Sequence, residues 1–185
     1  FDAFRNVVVD SAGDLIAVGI GGDVHVINVV VVKLSGIDGS VLWEYLPVTS
    51  STHDGPYTVD VDAQDDVYFC GVYDALNLQG SAAETPVVLK LDGATGDVVW
   101  TYEGVATSGA GFYDVAVDRT TGWVVGAGWT EGTWVVGAAQ GGFDFAAVLL
   151  DGTTGDELAR YQNGTTEDET LSFVGFDSAG GLFMG

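Results

Sequence analysis

The most restrictive feature of this sequence is an internal repeat. An apolar strand pattern ends in aspartate four times, at Asp10, Asp62, Asp118 and Asp177, with spacings of 52, 56 and 59 residues. A second unit follows each of the first three. It consists of an apolar run, a turn rich in Asp and Gly, and another strand pattern, as in residues 87–102. A period of this size is typical of proteins that stack one small structural unit on the next.

Each complete repeat contains four strand candidates. Apolar residues alternate with period two in the first of them, for example at Val59 and Val61, which is the spacing of strands. The 28 glycines and the many Val, Thr and aromatic residues favour strands and turns over helices. The predicted fold is an all-β β-propeller segment of four-stranded antiparallel blades. The blades are predicted at 4–54, 55–110 and 111–169, with the start of a fourth at 170–185.

Connections between the predicted strands fall into two classes. The first–second and third–fourth turns are short and rich in Asp and Gly, which bond to nearby amides and adopt positive φ, respectively. The other connections are long and variable, and they lie together on the opposite face of the predicted blades. Variable loops on a rigid scaffold commonly carry function, so this face is the predicted binding surface. It comprises residues 20–28, 46–56, 72–85, 103–111, 129–144 and 162–170.

Three blades and part of a fourth are too few for a ring of four to eight blades. A lone wedge of this kind exposes apolar faces that soluble monomers avoid. We therefore expect the rest of a longer chain, or other protein chains, to complete the propeller.

Charge narrows the range of partners. Five Lys and Arg face 27 Asp and Glu, a net charge of −22, which repels phosphate backbones and anionic membrane surfaces. Apolar runs such as residues 29–32 are far too short to cross a bilayer. The sequence therefore predicts no nucleic-acid partner and no membrane insertion. The single cysteine, Cys70, lies in an apolar strand pattern and is predicted to be buried and unreactive.

No catalytic or metal motif stands out in the sequence. His25 and His53 lack the spaced partners of a zinc site, and the common nucleophile and phosphate-loop motifs do not occur. Two acidic clusters are candidates for calcium, although neither follows a calcium-loop spacing and turn formation and solvation explain them more simply. Their members are Asp62, Asp65, Asp66, Glu167, Asp168 and Glu169. Asn163 begins a glycosylation sequon in a predicted surface loop, and glycans are a further possible partner.

The third repeat carries a family resemblance. Residues 126–132, 141–152 and 161–165 resemble the β-propeller repeat family often called SBBP, whose members show a Gly-Gly-x-Asp-x-Phe step before a turn. The first repeat departs most from this pattern, at residues 21–28. The resemblance implies an extracellular or cell-surface protein, and it supplies no catalytic residues.

A second resemblance concerns the tryptophans. The pattern Asp92-x-x-Thr95-Gly96-x-x-x-Trp100 is similar to the tryptophan-docking repeat of pyrroloquinoline quinone dehydrogenases, where it implies a lock between neighbouring blades. The third repeat departs from it, with Ala159 in place of tryptophan. The predicted blade-packing residues are Trp43, Trp100, Tyr45, Tyr102 and Tyr161, because large aromatics at repeat positions dominate burial.

These observations predict a non-catalytic, extracellular or cell-surface β-propeller that acts as a structural or protein-interaction module, without a cofactor. The chain is thus predicted not to be an enzyme. One alternative is a fragment of a quinoprotein-like dehydrogenase propeller. Another is a lectin-like propeller that stacks sugars on Trp129, Trp134 and Phe143, although such aromatics also serve packing.

Overall fold

The computed structural model describes residues 3–22, 27–47, 55–76, 82–105, 108–138 and 141–185. None of these residues lies in a helix, and all pairs of adjacent strands among them are antiparallel. In the part of the chain that the structure describes, no helix is long and apolar enough to cross a membrane.

The strands form three four-stranded sheets and one hairpin, each in simple sequence order. The first sheet contains β1 (Ala3–Val9), β2 (Leu15–Gly22), β3 (Ile27–Leu34) and β4 (Val41–Tyr45). The second contains β5 (Gly55–Val61), β6 (Val67–Leu76), β7 (Ala82–Leu91) and β8 (Val98–Glu103). The third contains β9 (Ala110–Val117), β10 (Trp123–Thr130), β11 (Asp144–Asp151) and β12 (Glu157–Asn163). The hairpin contains β13 (Val174–Phe176) and β14 (Leu182–Met184).

This architecture confirms the prediction of an all-β chain built from four-stranded antiparallel sheets. The described strands do not close a ring. Every predicted loop range is wrong in part, because strands extend into one or both of its ends. The overlap is largest at 72–85, where β6 continues to Leu76 and β7 begins at Ala82. His25 and His53 lie outside the described residues.

The repeated aspartates shape the turn between the first two strands of each unit. Oδ1 of Asp62 accepts the N–H groups of Gln64 and Asp66, both at 2.9 Å. Asp10 makes the same pair of bonds in the first sheet, and Asp177 makes it in the hairpin. The carboxylate thus replaces backbone partners in a tight turn, which is why aspartate recurs there.

The core lies between successive sheets. Ile16, Val18 and Val31 of the first sheet pack against Val61 and Phe69 of the second. A second cluster joins the second and third sheets, and it includes Tyr68, Cys70, Val88, Phe112, Val124 and Val148. Each sheet is therefore stabilised mainly by its neighbours, as expected of a stacked repeat.

The first strands of adjacent sheets are joined by side chains that accept backbone N–H groups. Thr58 Oγ1 accepts the N–H of Val115 at 3.0 Å, and Asp60 Oδ2 accepts the N–H of Val117 at 2.9 Å. Asp114 Oδ2 accepts the N–H of Val174 at 2.8 Å, one sheet further along. Side chains of one strand thus satisfy the otherwise unpaired edge of the next.

Asp60 offers a test of this arrangement. Burial raises the pKa of its carboxyl above the ordinary value, although the N–H groups of Val117 and Val61 oppose the shift. Because the folded-state pKa is raised, the folded chain holds the proton longer, and stability falls as pH rises from about 4 through the folded pKa. We expect Asp60→Asn to remove this part of the pH dependence, because asparagine does not titrate. The variant is expected to fold, because its side-chain oxygen can still accept the N–H of Val117. Urea unfolding from pH 4 to pH 7 measures it. An unchanged slope in the variant would contradict this account.

Candidate functional site

A lysine and a tryptophan meet one carbonyl at the junction of the first and second sheets. Lys33 Nζ donates to the carbonyl oxygen of Gly93 at 2.9 Å, and Trp43 Nε1 donates to the same oxygen at 3.1 Å. Lys33 also pairs with Asp10 at 2.7 Å. Burial by itself raises the pKa of Asp10, but hydrogen bonds from Lys33 and Asp14 outweigh it and hold the pKa below its ordinary value.

The junction of the second and third sheets repeats this arrangement and adds a phenol. Lys90 Nζ and Trp100 Nε1 donate to the carbonyl oxygen of Gly152 at 3.2 and 3.1 Å. The hydroxyl of Tyr68 lies 3.1 Å from that oxygen and 2.9 Å from Asp62 Oδ2. Ile16 occupies the position of Tyr68 in the first sheet, so the second junction is the more polar of the two.

Lys90 is the electrostatic centre of the second junction. Its ammonium lies 2.9 Å from Asp66 Oδ2 and 3.4 Å from Asp62 Oδ2. Burial favours the neutral amine, but the interactions with Tyr68 and Asp66 outweigh it and raise the pKa of Lys90 above its ordinary value. Lys90 is therefore a charged residue within the interface, and it is 8% exposed.

Each tryptophan also stacks on a glycine of the facing turn. A β-carbon at Gly96 would lie 2.7 Å from Cε3 of Trp43, and one at Gly155 would lie 2.8 Å from Cδ2 of Trp100. Both glycines have φ of +77°, which glycine adopts at little cost. Glycine is thus required here twice, by backbone conformation and by the indole.

A polar cleft opens between the second and third sheets. Ser11 closes the corresponding place at the first junction, where its N–H and hydroxyl donate to Asp65 at 2.9 and 2.5 Å. At the second junction, Ala63 takes the place of Ser11 and Gly122 takes that of Asp65. Neither residue has a polar side chain that could form such a bridge, and a cavity of about 260 Å³ remains.

The floor and rim of the cleft differ in exposure. The floor is formed by the buried residues Asp62, Tyr68, Lys90, Asp118 and Gly152. The rim is formed by the exposed residues Gln64, Arg119, Thr120, Thr121 and Thr153. Amide, hydroxyl and guanidinium groups thus surround an opening above a floor whose charges are already engaged.

The charges that line the cleft balance. Asp62 and Asp118 are opposed by Lys90 and Arg119, in a chain whose net charge is −22. Arg119 is largely exposed, and its Nη2 atom lies 3.7 Å from Oδ1 of Asp60. A neutral ligand with several hydroxyl groups suits this lining better than an anion, which the acidic surface repels.

The first group of calcium candidates directs its carboxylates at donors. Asp62 and Asp66 bind turn amides and Lys90, and Asp65 binds Ser11 across the first junction. Turn formation and sheet packing account for these contacts.

The second group lies near the end of β12. Asp168 accepts the N–H of Phe143 at 3.0 Å, and Glu169 accepts hydrogen bonds from Thr165, whereas Glu167 is exposed. The described residues contain no group of three His, Cys, Asp or Glu that could hold a metal ion. Calcium binding stays a prediction.

The three tyrosines that were predicted to pack between blades have different surroundings. Tyr45 packs on Phe69 of the second sheet with ring centroids 6.0 Å apart, and Tyr102 donates to Glu157 of the third sheet at 2.7 Å. Tyr161 is 46% exposed. Asn163 is exposed as the last residue of β12, at a strand end rather than within a loop.

The aromatic residues of the lectin alternative are wrongly placed for sugar stacking. Trp129 and Trp134 are buried. The ring of Trp129 meets that of Phe143 edge-on at 4.8 Å, and Trp134 packs on Phe112 at 5.4 Å. These side chains stabilise the third sheet and its junction.

The cleft was not anticipated from the sequence, and it lies among the short turns, on the face opposite the predicted binding surface. The aligned repeats nevertheless contain a signal. Ala12 of the first repeat is replaced by Gln64 in the second, and Ala94 of the second is replaced by Thr153 in the third. Both changes place a polar side chain on the rim.

No family model and no curated protein matches this chain. Among solved structures, it is similar to XC5397 from Xanthomonas campestris, described as a gluconolactonase important in glucose secondary metabolic pathways. The identity is 14% and the TM-score is 0.32, over 98% of this chain and 68% of that one.

This comparison corrects the predicted function. A non-catalytic structural module, and hence a chain that is not an enzyme, conflicts with similarity to a protein described as an enzyme. We withdraw both predictions. At this TM-score, neither an activity nor a site of that protein is assigned to the present chain.

Proposed function

We propose that the chain is a segment of a β-propeller whose second junction binds a small, uncharged, polyhydroxylated ligand of the monosaccharide or polyol class. The single observation that carries the proposal is the open polar cleft at a place that Ser11 and Asp65 close at the first junction. The sheets of successive repeats pack face to face, which supports the propeller.

The size and chemistry of the cleft support this ligand class. Typical small-molecule pockets measure about 300–1,000 Å³, so a cavity of about 260 Å³ suits a ligand smaller than most drugs. The rim offers donors and acceptors together, at Gln64, Thr120, Thr121 and Thr153. Ligand hydroxyl groups act as both donor and acceptor, so they match such a rim.

The test is a calorimetric titration with neutral hexoses and polyols, and with sugar acids and amino sugars of the same size. We expect the neutral ligands to bind with a Kd on the order of 0.1–10 mM. The double variant Gln64→Ala and Thr153→Ala is expected to weaken binding about tenfold, because it removes two rim partners. Both alanines occur at the aligned positions of other repeats, so the variant is expected to fold.

Thr101→Ala is the matched control, because Thr101 is exposed on β8 and does not line the cleft. It should bind as the unaltered chain does. Preference for a charged ligand, or unchanged affinity in the double variant, would contradict the proposal.

Two further expectations belong with this proposal. We infer that additional sheets complete the ring, since the described strands leave it open. Localisation outside the cell, which the family resemblance implies, stays a prediction.

A further inference from the structure

The first sheet leaves open a face whose counterpart is buried in the second sheet. Val7 and Val9 are 54% and 56% exposed, whereas Val59 and Val61, at the same repeat positions, are 4% and 1% exposed. Burial of the latter pair results from contact with the preceding sheet. The open face thus has the composition of an interface that this chain already forms.

The turn at 36–39 shows the same contrast. Gly93 and Gly96 of the second sheet are buried beneath Lys33 and Trp43. Their counterparts in the first sheet, Gly36 and Gly39, are exposed. Gly39 has φ of +73°, and a β-carbon there would meet no atom of the described residues within 4 Å.

The edge of β1 supplies a third parallel. Val7 and Val9 occupy the repeat positions of Val115 and Val117, whose N–H groups are accepted by side chains of the preceding sheet. An unpaired strand edge favours the addition of another strand or its side chains.

We propose that the open face of the first sheet is the docking site of a further four-stranded repeat, whose lysine and tryptophan bind the turn at 36–39. The proposal follows the two junctions already present and is independent of the ligand proposed for the cleft. Its occupant is defined by chemistry: an apolar sheet face that carries a lysine ammonium and an indole N–H.

A second copy of this chain does not meet this requirement. Its Lys33, Trp43, Lys90 and Trp100 are engaged in its own junctions. Its third sheet has Leu149 at the lysine position and Ala159 at the tryptophan position, and neither side chain can donate a hydrogen bond. The occupant is therefore a repeat beyond those described.

The experiment joins a copy of residues 55–109 ahead of residue 1, so that the copied Lys90 and Trp100 face the open sheet. Amide hydrogen exchange is followed by NMR at Gly39, Val7 and Val9, whose signals occur once in the tandem protein. We expect exchange to slow at least about tenfold relative to the original chain. The control tandem carries Lys90→Met and Trp100→Ala in the added copy alone, and is expected to lose protection at Gly39.

Three results would overturn the proposal. One is unchanged exchange in a tandem whose added strands are themselves protected. Another is equal protection in the control tandem. The third is protection of Gly39 in the original chain together with a dimeric mass by sedimentation, which would make a second copy the occupant. Should the added copy not fold, a tandem that adds residues 3–54 replaces it. Gly39 then gives two signals, of which one is expected to be protected, and failure of both tandems to protect Gly39 also overturns the proposal.

Discussion

Gly96→Ala is expected to lower the free energy of unfolding by about 3–4 kcal/mol. An L-residue at φ of +77° costs about 1–2 kcal/mol. The added methyl group would also lie 2.7 Å from the ring of Trp43, and forcing a buried side chain from its place costs typically about 1–3 kcal/mol more. Urea unfolding followed by tryptophan fluorescence measures the change.

Gly39→Ala is the matched control for this prediction. Gly39 has φ of +73° in the equivalent turn, and no indole of the described residues lies against it. Only the backbone cost remains, so a loss of about 1–2 kcal/mol is expected. Equal losses in the two variants would show that the contact of Trp43 with Gly96 contributes nothing beyond backbone conformation.

Lys90→Met is expected to lower the free energy of unfolding by about 3 kcal/mol. Removal of one partner from a buried ion pair leaves the other charge uncompensated, which costs about 3–5 kcal/mol. Asp66 is partly exposed, so the lower end of this range applies. The carbonyl of Gly152 also loses a donor.

The pH dependence of this loss has a definite sign. Because the pKa of Lys90 is raised in the folded chain, its contribution is complete below the unfolded pKa of about 10.4 and disappears as pH rises through the folded pKa. The difference between the two proteins should therefore shrink above about pH 10.4. Arg119→Met is the control, since Arg119 is largely exposed and a loss below about 1 kcal/mol is expected. A loss in Lys90→Met no larger than this would contradict the assigned role of Lys90.

Local patterns in the sequence predicted the local structure well. The period-two spacing of Val59 and Val61 placed β5, and the recurrent aspartates predicted turns in which a carboxylate binds amides two residues on. Both features depend on neighbours along the chain, which a single sequence displays directly.

Contacts between sheets were harder to predict. Lys33 pairs with Asp10 of its own sheet, but it also donates to the carbonyl oxygen of Gly93, 60 residues away, which no local pattern indicates. The cleft depends on what is missing at Ala63 and Gly122, and an absent bridge becomes visible only when two junctions are compared. The prediction that Trp129 and Phe143 stack sugars is wrong, because the two rings pack on each other.

The junction between the third sheet and the final hairpin differs mechanically from the two before it. Leu149 and Ala159 stand where the other sheets have lysine and tryptophan. The contacts here include apolar ones around Leu171 and Val174 and hydrogen bonds from the N–H groups of Val174 and Leu171 to Asp114 Oδ2 and to the carbonyl oxygen of Gly128. When force is applied at Gly185, we therefore expect the hairpin to separate before the two preceding junctions, which contain the buried lysine and tryptophan bonds. The two side chains Leu149 and Ala159 would thus determine which junction opens first.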